Sequence, residues 1–156
     1  RLLKTDSFFN YSRIGLALYG GIENLNLNPV AELKCPVYQI RFIQPGDSIG
    51  YNRAHIAKHK MRIGIVPFGY ADGLQRHWGH GVLKFFYKKQ LIPTIGEISM
   101  DSCIVDLSEI KNISELDEVC YFGLERPIWE LAKELNTIPY EIMATLSRRI
   151  KRIYYQ

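Results

Sequence analysis

The sequence predicts a mainly β domain, a compact antiparallel and barrel-like fold with one or two short helices. Three observations support this fold class. Short runs that alternate apolar and polar residues begin at Leu33, turn-forming residues separate these runs, and helical spacing appears only near the carboxy-terminal end. The 156 residues, 47% of them hydrophobic and 23% charged, have the length and balance of one globular domain with a buried core.

The first elements follow in order along the chain. Residues 13–20 are a short apolar run that fits either a buried strand or one turn of helix. Residues 37–43 alternate as a strand does, and residues 44–47, Gln-Pro-Gly-Asp, have the Pro-Gly order of a type II turn. Residues 61–68 alternate again and predict the next strand.

The second half contains a predicted hairpin and further strands. Residues 82–87 and 91–95 flank residues 88–90, Lys-Lys-Gln, which we expect to form the hairpin loop. Residues 98–107 and 119–122 are the next predicted strands.

Helical signals come late. Pro127 suits the first position of a helix, and apolar residues recur after it at helical spacing. Residues 137–146 predict a second short helix, and residues 148–154 a final strand.

Cysteine content, charge and hydropathy exclude several classes of protein. Cys35, Cys103 and Cys120 are too few and too scattered for a disulfide framework or a zinc site, so we expect buried thiols and a reducing compartment, the cytoplasm. The net charge of +4 is spread along the chain and favours anionic partners only weakly. No apolar run approaches the roughly 18 residues needed to cross a bilayer. We therefore expect neither a membrane nor a nucleic acid as partner.

Histidine pairs are the only metal-like pattern. His55 and His59 are spaced i, i+4, and His77 and His80 i, i+3, so each pair could share one helix face. Neither pair has the carboxylate of an HExxH arrangement. We interpret all four as solvated histidines and expect no metal site.

Three segments have more Gly, Tyr and charge than plain strands need. They are residues 46–51 (Gly-Asp-Ser-Ile-Gly-Tyr), residues 67–73 (the PFGYADG loop) and residues 95–101, of which residues 96–101 are the GEISMD loop. Glycines beside polar side chains let a ligand or another chain approach the backbone closely. The residues alone leave open whether these segments are binding loops or ordinary turns.

Taken in order, five segments resemble the C-terminal domain of alanine racemases. They are the three above, Thr-Ile-Pro-Tyr-Glu at residues 137–141, and residues 13–20, which match the RxGxxxYG segment that closes the family's pyridoxal-phosphate barrel. The resemblance implies that residues 1–22 are the end of the barrel domain and residues 23–156 the C-terminal β domain. Because the start lacks both an initiator Met and a signal sequence, we interpret it as a cut that removed the rest of the barrel.

The resemblance also implies a reaction. L-alanine and D-alanine are interconverted by two-base transfer of the α-proton on pyridoxal 5'-phosphate, which supplies D-alanine for peptidoglycan synthesis. Tyr51 matches the tyrosine base, which acts in the partner subunit of a head-to-tail homodimer. The lysine that binds the cofactor has no match in this chain, so we expect this chain alone to be inactive. Arg13 matches a catalytic and cofactor-binding arginine, whose permanent positive charge leaves the pyridine nitrogen neutral. The alternative for Tyr51 is an aromatic residue packed on the core.

Further positions match cofactor and substrate contacts. By resemblance, Gly15 and Leu16 offer backbone N–H groups to the cofactor phosphate, and the Tyr140 hydroxyl binds the same phosphate. Residues matched to the substrate or its entrance are Met100, Tyr70 and Asp101, with Arg76 and Ile138 nearby. Met100 could instead be a core methionine.

One residue departs from the family pattern. Many members carry arginine at the position of Glu97, and a reversed charge at an entrance changes how a charged amino acid is steered. A serine or broad-specificity amino-acid racemase is therefore an alternative. A non-catalytic β interaction module, left after loss of the barrel, is another.

Overall fold

The computed structural model describes residues 11, 14–23 and 27–155 of the chain. These residues form nine strands and two α-helices, together with short 3₁₀ turns. The elements are β1 (Leu33–Pro36), β2 (Gln39–Ile43), β3 (Ser48–Ile49), β4 (His55–Ile56), β5 (Met61–Val66), β6 (Lys84–Tyr87), β7 (Gln90–Ile95), β8 (Cys103–Asp106), β9 (Glu118–Phe122), α1 (Ile128–Glu134) and α2 (Pro139–Thr145).

Seven strands form one antiparallel sheet in the order β1-β9-β6-β7-β8-β5-β2. β1 and β2 occupy opposite ends of this order, yet only Val37 and Tyr38 separate them in the chain. The Val37 N–H donates to the Asp117 carbonyl at 2.8 Å, and the Tyr38 N–H to the Ile65 carbonyl at 2.8 Å. So short a link brings the two edges together, and the sheet curls. The predicted mainly β, barrel-like fold with two short helices is confirmed.

A separate two-stranded hairpin, β3 with β4, follows the predicted type II turn. The Asp47 N–H donates to the Gln44 carbonyl at 3.0 Å, which closes the turn. Gly46 has φ +91°, the left-handed value that the third residue of a type II turn requires. The turn prediction is confirmed. The hairpin has a small apolar cluster of its own, which includes Ile49, Met61 and Ile95.

The predicted β6–β7 hairpin is also confirmed, with a tighter loop than expected. Tyr87 pairs with Gln90, so Gln90 belongs to β7 and only Lys88 and Lys89 form the loop. Both lysines have positive φ, 45° and 68°, as a type I′ turn requires. This turn matches the right-handed twist of the flanking strands.

The main core lies between the curled sheet and the two helices. Alternate residues of the strands enter it, including Phe85, Ile92, Val105 and Tyr121, and α1 contributes Leu131. Burial of this apolar surface is the main source of the domain's stability.

All three cysteines are free and buried, as predicted. Burial raises the pKa of the Cys120 thiol to about 11, and it raises the pKa of Cys35 and Cys103 further. Because the thiolate is the reactive form, these cysteines behave as small apolar core residues.

The carboxy-terminal segment differs from the prediction. Both predicted helices are present, but the predicted final strand at residues 148–154 is wrong: a turn closes with the Ile150 N–H on the Ser147 carbonyl at 3.3 Å, and the chain then runs without strand pairing. At the other end, Gly15–Tyr19 form a 3₁₀ turn rather than a strand. None of the helices in the described part of the chain has the length and apolar character to span a membrane.

Candidate functional site

The PFGYADG and GEISMD loops lie side by side. The Tyr70 N–H donates to the Ser99 carbonyl at 3.0 Å, and the Ala71 N–H to the Met100 carbonyl at 2.9 Å. Gly69 allows this approach, because a Cβ on it would lie only 2.3 Å from the Met100 carbonyl oxygen. The glycine in the motif is therefore required by backbone contact between the two loops.

The turn that carries Tyr51 adjoins the GEISMD loop. Tyr51 begins a 3₁₀ turn that Gly50 separates from β3. A Cβ on Gly96, the first residue of the GEISMD loop, would be 3.7 Å from the Ile49 carbonyl oxygen and 3.8 Å from the Ala54 Cβ. The three predicted segments thus form one continuous surface, although they are far apart in sequence.

Two side chains on this surface point to solvent. Tyr51 is 73% exposed and Met100 is 54% exposed, so neither packs in the core, and the core alternative for both residues is excluded. Tyr70 is 42% exposed on the same surface. Exposed apolar side chains on one surface are typical of a binding site, and here they are two tyrosines and a methionine.

A second cluster joins the N-terminal turn to α2. The Leu16 N–H donates to the Tyr140 hydroxyl oxygen at 2.7 Å. Gly15 has φ +54°, and a Cβ on it would be 2.6 Å from that oxygen, so only glycine fits here. A backbone N–H and a phenol hydroxyl therefore lie within hydrogen-bond distance of each other, and the hydroxyl keeps a proton that suits an anionic oxygen.

An ion-pair network connects the loops to the segment after α2. Arg149 Nε and Nη2 donate to the two carboxylate oxygens of Asp72 at 2.6 and 3.0 Å. Arg149 Nη2 also donates to Asp101 at 2.7 Å. The sequence reasoning missed Asp72 and Arg149: the first looked like a turn residue, and the second lay in the supposed final strand. No local signal could find a pair separated by 77 positions.

The residues matched to an entrance also form a contact. Arg76 and Glu97 make an ion pair within the chain, with 63% and 31% of their side chains exposed. Ile138, just before α2, is 60% exposed. Glu97, where many family members carry arginine, therefore pairs with the neighbouring cation Arg76.

Some sequence-predicted features lie elsewhere. Arg13 lies outside the described residues, so its predicted catalytic and cofactor-binding role stays a prediction. The histidines share no helix face: His55 lies in β4, His59 in the bend after it, and His77 and His80 in and after a 3₁₀ turn. Across residues 11, 14–23 and 27–155, no group of three His, Cys, Asp or Glu side chains could hold a metal ion.

Comparison with known protein families identifies a match over most of the chain. Residues 30–154 match the family described as alanine racemase, C-terminal domain. The chain is 37% identical over 150 residues to the alanine racemase of Aquifex aeolicus, and 38% identical over 159 residues to that of Helicobacter pylori strain Shi470. Each alignment includes 94% of this chain but only 44% and 42% of the relative. The chain therefore spans about two fifths of the length of these relatives.

Solved structures give a consistent result. The biosynthetic alanine racemase from Pseudomonas aeruginosa superimposes with a TM-score of 0.82 at 30% identity, over 91% of this chain and 41% of that one. The alanine racemase from Bartonella henselae with covalently bound pyridoxal phosphate gives a TM-score of 0.83 at 34% identity, over 90% and 40%.

Proposed function

The chain belongs to the alanine racemase C-terminal domain family, and on that premise we propose that it is the C-terminal part of a pyridoxal-phosphate-dependent alanine racemase. The complete protein interconverts L-alanine and D-alanine, and D-alanine feeds peptidoglycan synthesis in the cytoplasm. Residues 1–22 are the end of the barrel domain in this proposal, and residues 23–156 the β domain. The enzyme works as a head-to-tail homodimer.

The observation that carries the proposal is the contact between Leu16 and Tyr140. Two family motifs 124 positions apart meet at 2.7 Å, where the Leu16 N–H donates to the Tyr140 hydroxyl oxygen and leaves the hydroxyl proton to donate elsewhere. Gly15 leaves the space beside the Tyr140 hydroxyl free of a side chain. This cradle fits a phosphate group, so Gly15, Leu16 and Tyr140 would hold the cofactor phosphate, and Arg13 would face the pyridine nitrogen. When bound, the cofactor supplies an electron sink for the substrate α-carbon.

Tyr51 is the proton-transferring group that this chain contributes. As the phenolate, its oxygen takes the α-proton of L-alanine and becomes the phenol, which gives the proton back in the reverse direction, on the face opposite the cofactor lysine. The exposure of Tyr51 and Met100 supports a second surface that covers them, and in this proposal that surface is the barrel of the partner subunit. The Met100 backbone meets the substrate carboxylate, while Tyr70 and Asp101 line the approach.

The test is Tyr51→Phe in the complete protein, with Tyr38→Phe as matched control. Tyr38 is a second exposed tyrosine, at 68%, which lies beside the edge strand β2 and is not part of the three motif segments. Loss of a general acid–base group costs about 10²–10⁴-fold, so kcat should fall in that range for Tyr51→Phe and not for Tyr38→Phe. Circular dichroism and the absorbance of bound cofactor verify folding and loading.

Exchange of the α-hydrogen of alanine with solvent tests the role of Tyr51 more specifically than kcat does. In Tyr51→Phe, solvent deuterium should still enter D-alanine through the lysine, while exchange from L-alanine collapses. A folded, cofactor-loaded variant that racemises at the wild-type rate would remove Tyr51 from the reaction. A complete wild-type protein that loads cofactor but does not racemise alanine would favour the non-catalytic module instead.

A second candidate is a serine or broad-specificity racemase. The Arg76–Glu97 ion pair favours it, because a carboxylate replaces the family's usual cation at the entrance and cancels a neighbouring charge. Rates for alanine and serine, measured on the same preparation, distinguish the two candidates.

A further inference from the structure

Arg149 connects three segments through one guanidinium group. Two of its nitrogens bind both oxygens of Asp72 in the PFGYADG loop, at 2.6 and 3.0 Å. One of these nitrogens, Nη2, also binds Asp101 of the GEISMD loop at 2.7 Å. A two-pronged contact of this kind fixes direction as well as distance. The side chain of Arg149 therefore sets how the two loops lie relative to the backbone after α2.

Asp72 is fixed on its other sides as well. Only 8% of its side chain is exposed, and the same Oδ2 that meets Arg149 accepts a hydrogen bond from the Gly69 N–H at 2.8 Å. Its backbone carbonyl accepts one from the Ser147 N–H at 3.0 Å. A buried carboxylate without its cation is costly, so the loop shape depends on Arg149 staying in place.

Both ends of this network reach residues of the proposed site. On one side, Asp101 is adjacent to Met100. On the other, α2 begins at Pro139 with Tyr140 in its first turn and ends at Thr145, whose hydroxyl donates to the Glu141 carbonyl at 2.8 Å and contacts the Gly73 carbonyl at 3.4 Å. The helix end is therefore anchored on the PFGYADG loop only a few residues before Arg149.

We propose that Arg149 is a positioning residue that holds Met100 and Tyr140 in place together. The inference rests on the proposed function, in which Tyr140 binds the cofactor of its own subunit and Met100 meets the substrate in the partner's site. Arg149 then connects Tyr140, which binds the cofactor in one active site, to Met100, which contacts the substrate in the other. Lysine cannot do this equally well, because its single ammonium group cannot span the Asp72 carboxylate and Asp101 in a fixed geometry.

The experiment compares Arg149→Met and Arg149→Lys with Arg148→Met in the complete holoenzyme. Arg148 is exposed, adjacent, and makes no ion pair with any residue in the described ranges, so its variant removes an equal charge without touching the network. For Arg149→Met we expect a rise of roughly tenfold in both the KM for alanine and the cofactor dissociation constant, as expected when positioned groups shift. Arg149→Lys should fall between wild type and Arg149→Met, and Arg148→Met should match wild type.

A double variant separates positioning from general loss of stability. Adding Asp72→Asn to Arg149→Met should raise KM no further, because the pair is already broken, whereas Asp72→Asn alone should raise KM. Additive effects in this cycle, or a changed KM with an unchanged cofactor constant, would overturn the link between the two sites. If Arg149→Met does not fold, Arg149→Lys gives the same comparison.

Amide hydrogen exchange tests the positioning without using activity. In both Arg149 variants, peptides from the PFGYADG loop, the GEISMD loop and α2 should exchange faster than in Arg148→Met. Faster exchange confined to the residues around 149 would refute the proposal even in an active enzyme. Conversely, the absence of racemase activity in the wild type would refute the proposed function and leave this exchange result intact.

Discussion

Replacing Gly69 by alanine should separate the two loops that carry the proposed substrate-facing residues. The added Cβ would lie 2.3 Å from the Met100 carbonyl oxygen and 2.4 Å from that of Ser99. Carbon and oxygen need a separation of about 3.3 Å. Both obstacles are backbone atoms, which cannot rotate away as a side chain does, so one loop must move by about 1 Å.

That movement has two consequences of different size. It weakens the hydrogen bonds from Tyr70 to Ser99 (3.0 Å) and from Ala71 to Met100 (2.9 Å). At about 1 kcal/mol each, the free energy of unfolding should fall by about 2 kcal/mol. A displacement of about 1 Å in a positioned group can cost about 10²-fold in rate, so kcat/KM for alanine should fall by that factor.

The assay measures urea unfolding and racemisation in the complete protein, with Gly123→Ala as control. The three atoms nearest to a Cβ on Gly123 all belong to the exposed side chain of Glu32, with Cγ at 2.6 Å, and a side chain can shift where backbone cannot. If Gly69→Ala racemises as fast as Gly123→Ala, the loops do not need their close contact, and backbone crowding at residue 69 does not affect the reaction.

Two further changes test charges. Glu97→Arg places two cations together where the Arg76–Glu97 pair now lies, so the KM for alanine should change more than kcat, and less at high salt. Hydrogen bonds from the Ser114 N–H (2.9 Å) and the Tyr87 hydroxyl (2.8 Å) hold the pKa of the Asp117 carboxyl below its usual value. Such a lowered pKa stabilises the fold above the unfolded-state pKa of about 3.9 and loses this effect as pH falls through the folded value. Asp117→Asn should therefore lower Tm at neutral pH, and its deficit relative to wild type should shrink in acid.

Each charge prediction has its own contradicting outcome. Glu97→Gln separates loss of the carboxylate from addition of a cation, and an unchanged KM at low salt in both variants would remove Glu97 from the entrance. For Asp117, a Tm difference that is constant from neutral to acidic pH would show that its hydrogen bonds do not favour the charged form. The exposed carboxylate Glu109 is the control, since Glu109→Gln should change neither Tm nor its pH dependence.

Local signals predicted the elements that local residues determine. The turn at residues 44–47 and the hairpin around Lys88 follow from the chemistry of a few adjacent residues, and both are present. The strand predicted over residues 98–107 is shorter, because β8 begins only at Cys103. The Ser99 and Met100 carbonyls bond to the PFGYADG loop instead, and apolar alternation cannot reveal such a distant partner.

For the candidate site too, local features were predictable from the sequence and contacts between distant residues were not. The exposed glycine- and tyrosine-rich segments were visible in the sequence, whereas their roles came only from resemblance to a family. The meeting of Leu16 with Tyr140 and the pairing of Arg149 with Asp72 join residues that are distant along the chain. Arg149 lies in residues 148–152, where charged residues alternate with an apolar one, and this pattern wrongly predicted a strand. It gave no sign that the Arg149 side chain binds two carboxylates.

The pairing of β1 with β9 has a consequence for synthesis of the chain. Leu33 faces Phe122, and β9 is the only strand that pairs with β1 within the described residues. During translation β1 leaves the ribosome long before β9. Strand β1 therefore has no pairing partner, and its apolar residues stay exposed, until the intervening strands and β9 have emerged. Such long-range pairing makes folding slow and leaves the nascent chain open to aggregation. A ribosome-bound chain that ends before Phe122 should therefore stay sensitive to protease, and one extended past α2 should become resistant.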